Sequence, residues 1–221
     1  MEKGKEKTTF ILLRHGETDA NKAHLLQGWF NKYGLNANGR AQASYAAEYL
    51  KDFHIDAAYC SDLVRAAETM EIVLKYHPDV VLNRTQELRE WNCGIYDGTD
   101  QTMLAKEHPE VLRVFSSEAG NLQLPNGENR MQFQKRIEDF CTRIALENVG
   151  KTILLCTHGG TLQRIFRMAA GAVNDNNRLP LPANAAVGVI KYLHAQNGWQ
   201  LDQWNIHHYI PEGTIVNTLV M

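Results

Sequence analysis

Short apolar runs alternate with amphipathic helical stretches along nearly the whole chain, which predicts an α/β sandwich on a mostly parallel sheet. Two observations support this. The runs are strand-length and apolar at successive positions, as strands covered on both faces must be. The last two runs meet at the polar turn Gln196-Asn197-Gly198, which predicts an antiparallel hairpin at the end of an otherwise parallel sheet.

The elements follow in order. Phe10-Ile11-Leu12-Leu13 is the first strand. Asn38 can cap a helix running to about Phe53, with Ala43, Ala46, Ala47, Leu50 and Phe53 on its apolar stripe. Ile55 to Cys60 is the second strand. Ser61 or Asp62 can cap the helix after it, whose inward face holds Leu63, Ala66, Ala67, Met70 and Leu74. Val80-Val81-Leu82 is the third strand. The region 97–128 carries Gly98, Pro109, Gly120, Pro125 and Gly127, and reads as short helices inserted over one end of the sheet. A long helix then presents Phe133, Ile137, Phe140, Cys141 and Ile144. Thr152 to Cys156 is the fourth strand, Thr161 to Ala170 a helix with Leu162, Ile165, Phe166 and Ala169 inward, and 186–193 and 199–204 the closing hairpin.

The chain has 221 residues, within the range of one domain, with 1–7 read as a flexible tail and 8–221 as the domain. A net charge of -2 excludes the broad positive field that nucleic acid or anionic lipid would need. An anionic ligand must therefore meet a local cluster of cations. The first seven residues are charged and no later run could span a bilayer, so the expected compartment is the cytoplasm. The four cysteines lack metal-type spacing. Cys60, Cys141 and Cys156 read as small buried hydrophobes; Cys93 is left open because it lies near a chemically loaded segment.

Four segments follow directly on predicted strands: Arg14-His15-Gly16, Ser61 with Arg65, Glu87-Leu88-Arg89-Glu90, and Thr157-His158-Gly159-Gly160. The carboxyl ends of parallel strands face the ligand crevice of an open α/β sheet. Two histidines, two arginines and a carboxylate therefore converge at one edge. Arginine clamps phosphate with a planar fork, glycines admit backbone amides, and helix N-termini add N–H groups. A neutral imidazole can attack phosphorus, and a carboxyl can protonate the leaving oxygen. Taken singly, each residue has an ordinary reading: a turn, a core histidine, a solvated charge. Four in succession at strand ends do not.

These residues resemble the histidine phosphatase superfamily, the phosphoglycerate mutase-like proteins. The resemblance covers almost the whole chain. It rests on Arg14-His15-Gly16-Glu17-Thr18 with Asn21 and Gln27-Gly28, on Leu35 to Ala43, on Ser61 to Thr69, on Leu88-Arg89-Glu90 with Gly94 and Asp97-Gly98, and on Thr157 to Gly160. It implies a three-layer α/β/α sandwich with a six-stranded mostly parallel sheet. It also implies that His15 is phosphorylated, that Arg14, Arg65 and His158 clamp the phosphoryl group, and that Glu90 is proton donor and then base. Asn21, Gln27, Gly28 and Gly159 would be further substrate contacts, with no metal and no cofactor. The partner would be a small phosphorylated metabolite, not nucleic acid or a membrane; a homodimer is left open.

Two residues tilt the reading from mutase to phosphatase. Ala20 stands where the mutases typically carry tryptophan, and Asn31 where they carry aspartate. The mutase-type insertion is also short. Gly28-Trp29 echoes the mutases in return, and Cys93 departs from the broad phosphatases. The first expectation is thus a phosphatase, the second a phosphoglycerate mutase, the third a non-catalytic phosphate-binding module. His207-His208 read as surface or tail residues, and Trp29, Trp91 and Met103 as packing, with the shaping of a substrate pocket as their alternative. Glu128 is equally a group that positions the pocket or one that favours its helix N-terminus.

Overall fold

A computed structural model describes residues 7–113, 122–172 and 181–214. Its elements are β1 (Lys7–Arg14), α1 (Asp19–Lys22), β2 (Leu25–Leu26), α2 (Ala37–Leu50), β3 (Ala57–Ser61), α3 (Val64–Val73), β4 (Leu82–Thr85), β5 (Thr99–Asp100), α4 (Gln101–Glu107), α5 (Pro109–Arg113), α6 (Arg130–Glu147), β6 (Thr152–Thr157), α7 (Gly159–Ala169), β7 (Val187–Leu193) and β8 (Gly198–Ile206). The six-stranded sheet has the order β4-β3-β6-β1-β7-β8. The first four strands are parallel, and β7 runs antiparallel to both β1 and β8. Residues 1–6 of the expected tail lie outside the described residues, whereas Lys7 already pairs with Leu193.

Alternate residues of each central strand enter different cores. Phe10, Leu12, Ile153, Leu155 and Ile190 pack with Phe133, Ile137, Phe140 and Ile144 of α6 and Leu162 and Ile165 of α7. Ile11, Leu13, Leu154, Cys156 and Ala58 pack with Ala46, Ala47 and Leu50 of α2 and Ala66, Met70 and Val73 of α3. Helices cover both faces, so the apolar-throughout strands are explained by burial on both sides. All four cysteines are buried and unbridged, Cys93 included.

Four boundaries differ from the sequence reading. Helix α2 is capped by Asn36, whose Oδ1 accepts from Gly39 N at 2.8 Å, while Asn38 lies inside the first turn and donates Nδ2 to Glu17 Oε2 at 3.1 Å and Thr214 O at 2.9 Å. The helix stops at Leu50, leaving Phe53 37% exposed rather than on the stripe. Neither Ser61 nor Asp62 caps α3. Leu63 holds the cap position, Asp62 is paired with Arg89, and Asn31 Oδ1 accepts from Val64 N at 2.7 Å. Strand β4 begins at Leu82 because pairing with β3 sets it, Ala58 opposite Leu82 through Ser61 opposite Thr85; Val81 is 71% exposed.

The region after residue 97 opens by pairing Thr99–Asp100 with Leu25–Leu26, the loop that follows His15. Helices α4 and α5 come next, and residues 114–121 of the expected insertion lie outside the described residues.

Helix α2 meets the β1–α1 loop at bare backbone. A Cβ on Gly39 would stand 2.0 Å from Glu17 O, and one on Gly16 2.4 Å from Gly39 O. Both obstacles are main chain, so nothing can swing aside. Gly39→Ala should destabilise the fold by about 1–3 kcal/mol, the usual cost of overpacking, read as a lowered urea midpoint. Gly198→Ala, where the nearest atom would be 3.6 Å away, should stay within about 0.5 kcal/mol.

Candidate active site

The strand order makes the ends of β3, β6 and β1 neighbours, with β4 beside them. Arg14 ends β1 opposite Thr157, and His15 N continues the ladder to Thr157 O at 3.0 Å. The His15 and His158 rings lie 5.2 Å apart, centroid to centroid. Arg14, His15, Arg65 and His158 are each at most 3% exposed. All four strand ends therefore deliver their residues to one place.

Each imidazole is fixed in one tautomer. His15 Nδ1 lies 2.7 Å from Gly16 O. A carbonyl only accepts, so Nδ1 carries the proton and Nε2 keeps its lone pair. His158 Nδ1 accepts from Arg65 Nε at 3.1 Å, which puts the His158 proton on Nε2. That buried Nε2–H meets no acceptor among the described residues. Burial holds both rings well below the ordinary histidine range, helped by Arg65 and Arg14; the Gly16 carbonyl opposes this for His15, and His15 and Arg136 add to it for His158. One ring is thus a neutral base and the other a neutral donor.

The arginines are costly to bury, and their partners are mostly carbonyls. Arg65 donates Nη2 to Gly28 O at 2.8 Å and Nη1 to Phe30 O at 3.1 Å. Arg14 donates Nη1 to Pro182 O at 2.5 Å. Burial brings each guanidinium down to about 10, with Glu90 opposing the shift.

Glu90 sits at the N-terminus of α7, where the first amides have no helical partner. Its Oε2 accepts from Gly160 N at 2.8 Å, and its Oε1 from Thr161 N and Trp91 N, both at 3.0 Å. A Cβ on Gly160 would stand 2.6 Å from Oε1, so this approach requires glycine. Gly159 opens the helix, beside the Arg14 guanidinium.

The remaining candidates surround these. Asn21 is buried, and its Oδ1 accepts from Thr18 N; Gln27 Oε1 accepts from Thr18 Oγ1 at 3.1 Å. With the oxygens so engaged, each amide's NH2 is the group suited to an anion. The Gly28 carbonyl is taken by Arg65, so Gly28 bears on the site through that side chain.

A family model described as the histidine phosphatase superfamily (branch 1) matches residues 10–207. The chain belongs to this superfamily. It is 33% identical over 204 residues to the metal-independent phosphoserine phosphatase of Arabidopsis thaliana, covering 90% of this chain and 82% of that protein. Among solved structures it resembles Bacillus stearothermophilus YhfR, with TM-score 0.83, 25% identity and coverage of 92% of this chain and 100% of that one. A phosphoglycerate mutase from Bacillus anthracis str. Sterne matches with TM-score 0.73 and 25% identity over 95% of this chain and 97% of that one. The superfamily's phosphatases and mutases are thus both among its relatives.

Several residues around this candidate site have no role that the sequence assigned. Asp97 accepts from Trp29 N at 2.9 Å and Cys93 N at 3.1 Å, and burial raises its carboxyl to about 6. Asn184 Nδ2 donates to His15 O at 3.0 Å. Arg136 bonds the Glu90 segment from α6. Trp29, expected to pack or to shape the pocket, donates Nε1 to Glu90 O at 2.7 Å. Trp91 stacks on Phe133, whereas Met103 is 47% exposed. His208 is exposed, and His207, half-buried, bonds the Asn205 carbonyl. No cluster of histidine, cysteine and carboxylate suited to a metal occurs among the described residues.

The neutral histidines set a pH dependence. Their folded values lie below the ordinary 6.5, so in the window beneath 6.5 the unfolded chain binds protons that the folded one refuses. Stability should therefore fall as pH drops below 6.5, by up to about 1.4 kcal/mol per pH unit for each histidine. Urea unfolding at pH 7.5, 6.5 and 5.5 should show this slope, and His158→Gln should flatten it. Equal slopes for the two proteins would contradict a neutral His158.

Proposed function

We propose that this chain is a metal-independent phosphatase that hydrolyses a small phosphomonoester through a phosphohistidine on His15. The observation that carries the reading is the bond from His15 Nδ1 to Gly16 O. It leaves a neutral Nε2 lone pair beside two buried guanidiniums and the His158 Nε2–H.

In the proposed reaction, Arg14, Arg65 and His158 hold the phosphoryl oxygens, with Asn21, Gln27 and the Gly159 amide as further donors. His15 Nε2 forms a bond to phosphorus as the ester P–O bond breaks. The leaving oxygen takes a proton from the Glu90 carboxyl and departs as an alcohol. Water then attacks phosphorus and gives its proton to the Glu90 carboxylate. The N–P bond breaks, inorganic phosphate leaves, and His15 is neutral again. No step calls on a metal or cofactor.

Ala20 supports hydrolysis over isomerisation. It is fully buried, and a tryptophan at that position would need a rearranged loop. The Arabidopsis relative's name makes O-phospho-L-serine the first ester to try. The four buried, unbridged cysteines support a reducing compartment such as the cytoplasm.

Phosphate release should be measured across a panel of phosphorylated metabolites and p-nitrophenyl phosphate. His15→Ala should lose at least about a thousandfold in kcat/KM, and rapid acid-free quenching should trap phosphate on His15 in the unsubstituted protein. Undiminished activity in His15→Ala would sink the assignment. Interconversion of 3-phosphoglycerate with its 2-isomer, faster than phosphate release and dependent on 2,3-bisphosphoglycerate, would make the protein a mutase instead.

A further inference from the structure

Arg136 lies on α6, outside every segment that the chemistry picks out, yet its guanidinium is wholly committed to one of them. Nε donates to Glu128 Oε1 at 2.7 Å and Nη2 to Glu128 Oε2 at 2.8 Å. Nη1 donates to Glu87 O at 2.8 Å and Arg89 O at 3.0 Å. Nη2 also donates to Glu90 O at 3.1 Å. An arginine has five N–H groups, and these five bonds use them all. None remains for a substrate, so the side chain cannot be a phosphate ligand in this arrangement.

The recipients explain the commitment. Residues 86–88 form a single 3-10 turn and residues 89–93 no regular element, so their carbonyls lack a ladder. Carbonyls in such a half-buried segment need donors. Arg136 supplies three, and Trp29 Nε1 shares the Glu90 carbonyl. Glu128 fixes the other side: it accepts from Asn92 N at 3.0 Å, while its own carbonyl accepts from Trp91 Nε1 at 2.8 Å. The Glu90 main chain is thus gripped from α6 while its carboxylate reaches the first turn of α7.

We propose that Arg136, braced by Glu128, is a positioning residue that sets the Glu90 carboxyl for proton transfer to the leaving oxygen. The proposal rests on the reading of Glu90 as the proton donor. It also gives Glu128 the first of its two sequence roles. A lysine could not do the same work, since one ammonium cannot present parallel donors to a carboxylate and span three carbonyls at once.

A misplaced proton donor has a signature that a damaged phosphate clamp lacks. An alkoxide needs the proton; p-nitrophenolate leaves without it. The measurement is kcat/KM, which reports only steps through transfer to His15, for β-glycerol phosphate and p-nitrophenyl phosphate. Arg136→Gln should lose about 10- to 100-fold on the alkyl ester, part of what a general acid supplies, and less than about 3-fold on the aryl ester. Arg136→Lys should show the same selectivity with a smaller loss, and serves if Arg136→Gln does not fold. Glu90→Gln is the reference and should show the same pattern more strongly. Equal losses on both esters in the Arg136 variants, with Glu90→Gln still selective, would reduce Arg136 to a structural role and overturn the proposal. A Glu90→Gln variant that is itself unselective would instead overturn the assignment of Glu90, and this proposal with it.

Discussion

The constraint on which the rest of the site depends is the burial of Arg65. This cation is 1% exposed, and among the described residues it bonds no carboxylate. Three of its five N–H groups go to the Gly28 and Phe30 carbonyls and to His158. Uncompensated burial of a charge is prohibitive, and removing a guanidinium's proton is no way out. The protein instead surrounds the cation with oriented dipoles and holds two carboxyls, Glu90 and Asp97, near enough to act through space. The countercharge is thus supplied incompletely by the protein, which leaves a strong preference for an incoming dianion. Burial, helped by the same field, keeps His15 and His158 neutral. A neutral nucleophile and an anion-hungry surround are therefore two results of one electrostatic choice.

That choice dictates the loops. The segment 28–30 must turn its carbonyls toward Arg65, and Gly28, with φ of 46°, makes the turn. A Cβ there would strike Asp97 Oδ1, the acid that holds Trp29 N. Trp29 then crosses to Glu90 O, with the Arg89 guanidinium stacked 4.6 Å from its ring. Three consecutive residues thereby couple the cation clamp to the carboxyl on the opposite side. In sequence Gly28-Trp29 is an echo of the mutase pattern; in the fold it is a tie between Arg65 and the Glu90 main chain.

What the sequence disclosed is what has a period or a chemical type. The two-faced apolar strands, the helix stripes and the polar turn at Asn197 fixed the sheet and its hairpin. Placing His15, Arg65, Glu90 and His158 at strand ends pointed to one shared edge, while the order of the strands along it is set by their pairing in the structure. What it concealed depends on partners distant along the chain. Asn38 reads as the cap in sequence, but Asn36 takes the position because its Oδ1 meets Gly39 N, and Glu17 accepts from the side-chain amides of both asparagines. Val80 to Leu82 is the more apolar run, but pairing with β3 selects Leu82 to Thr85. Arg136 was invisible because its targets are backbone carbonyls more than forty positions away, and a carbonyl has no sequence signature. Asp97 stood inside a matched motif, yet its role as acceptor for Trp29 and Cys93 amides depends on the turn at Gly94.

The site divides into two halves of different rigidity of design. The phosphoryl half is built from strand ends and the first turns of α3 and α7, where the sheet register leaves little freedom. The half facing the leaving group is built from irregular chain: residues 87–93, the loop around Trp29, and the region that begins where β5 pairs with β2. Irregular chain can change without disturbing the sheet, so a single phosphoryl machine can serve esters of different alcohols. The names of the relatives, phosphatases and mutases alike, agree with that division. It carries one condition. In the proposed reaction, whatever the alcohol, the Glu90 carboxyl must still reach its oxygen from a segment with no regular structure of its own. A brace from a regular element is the way to keep both properties: α7 meets the carboxylate and the Arg89 carbonyl, and α6 holds the main chain from the other side through Arg136.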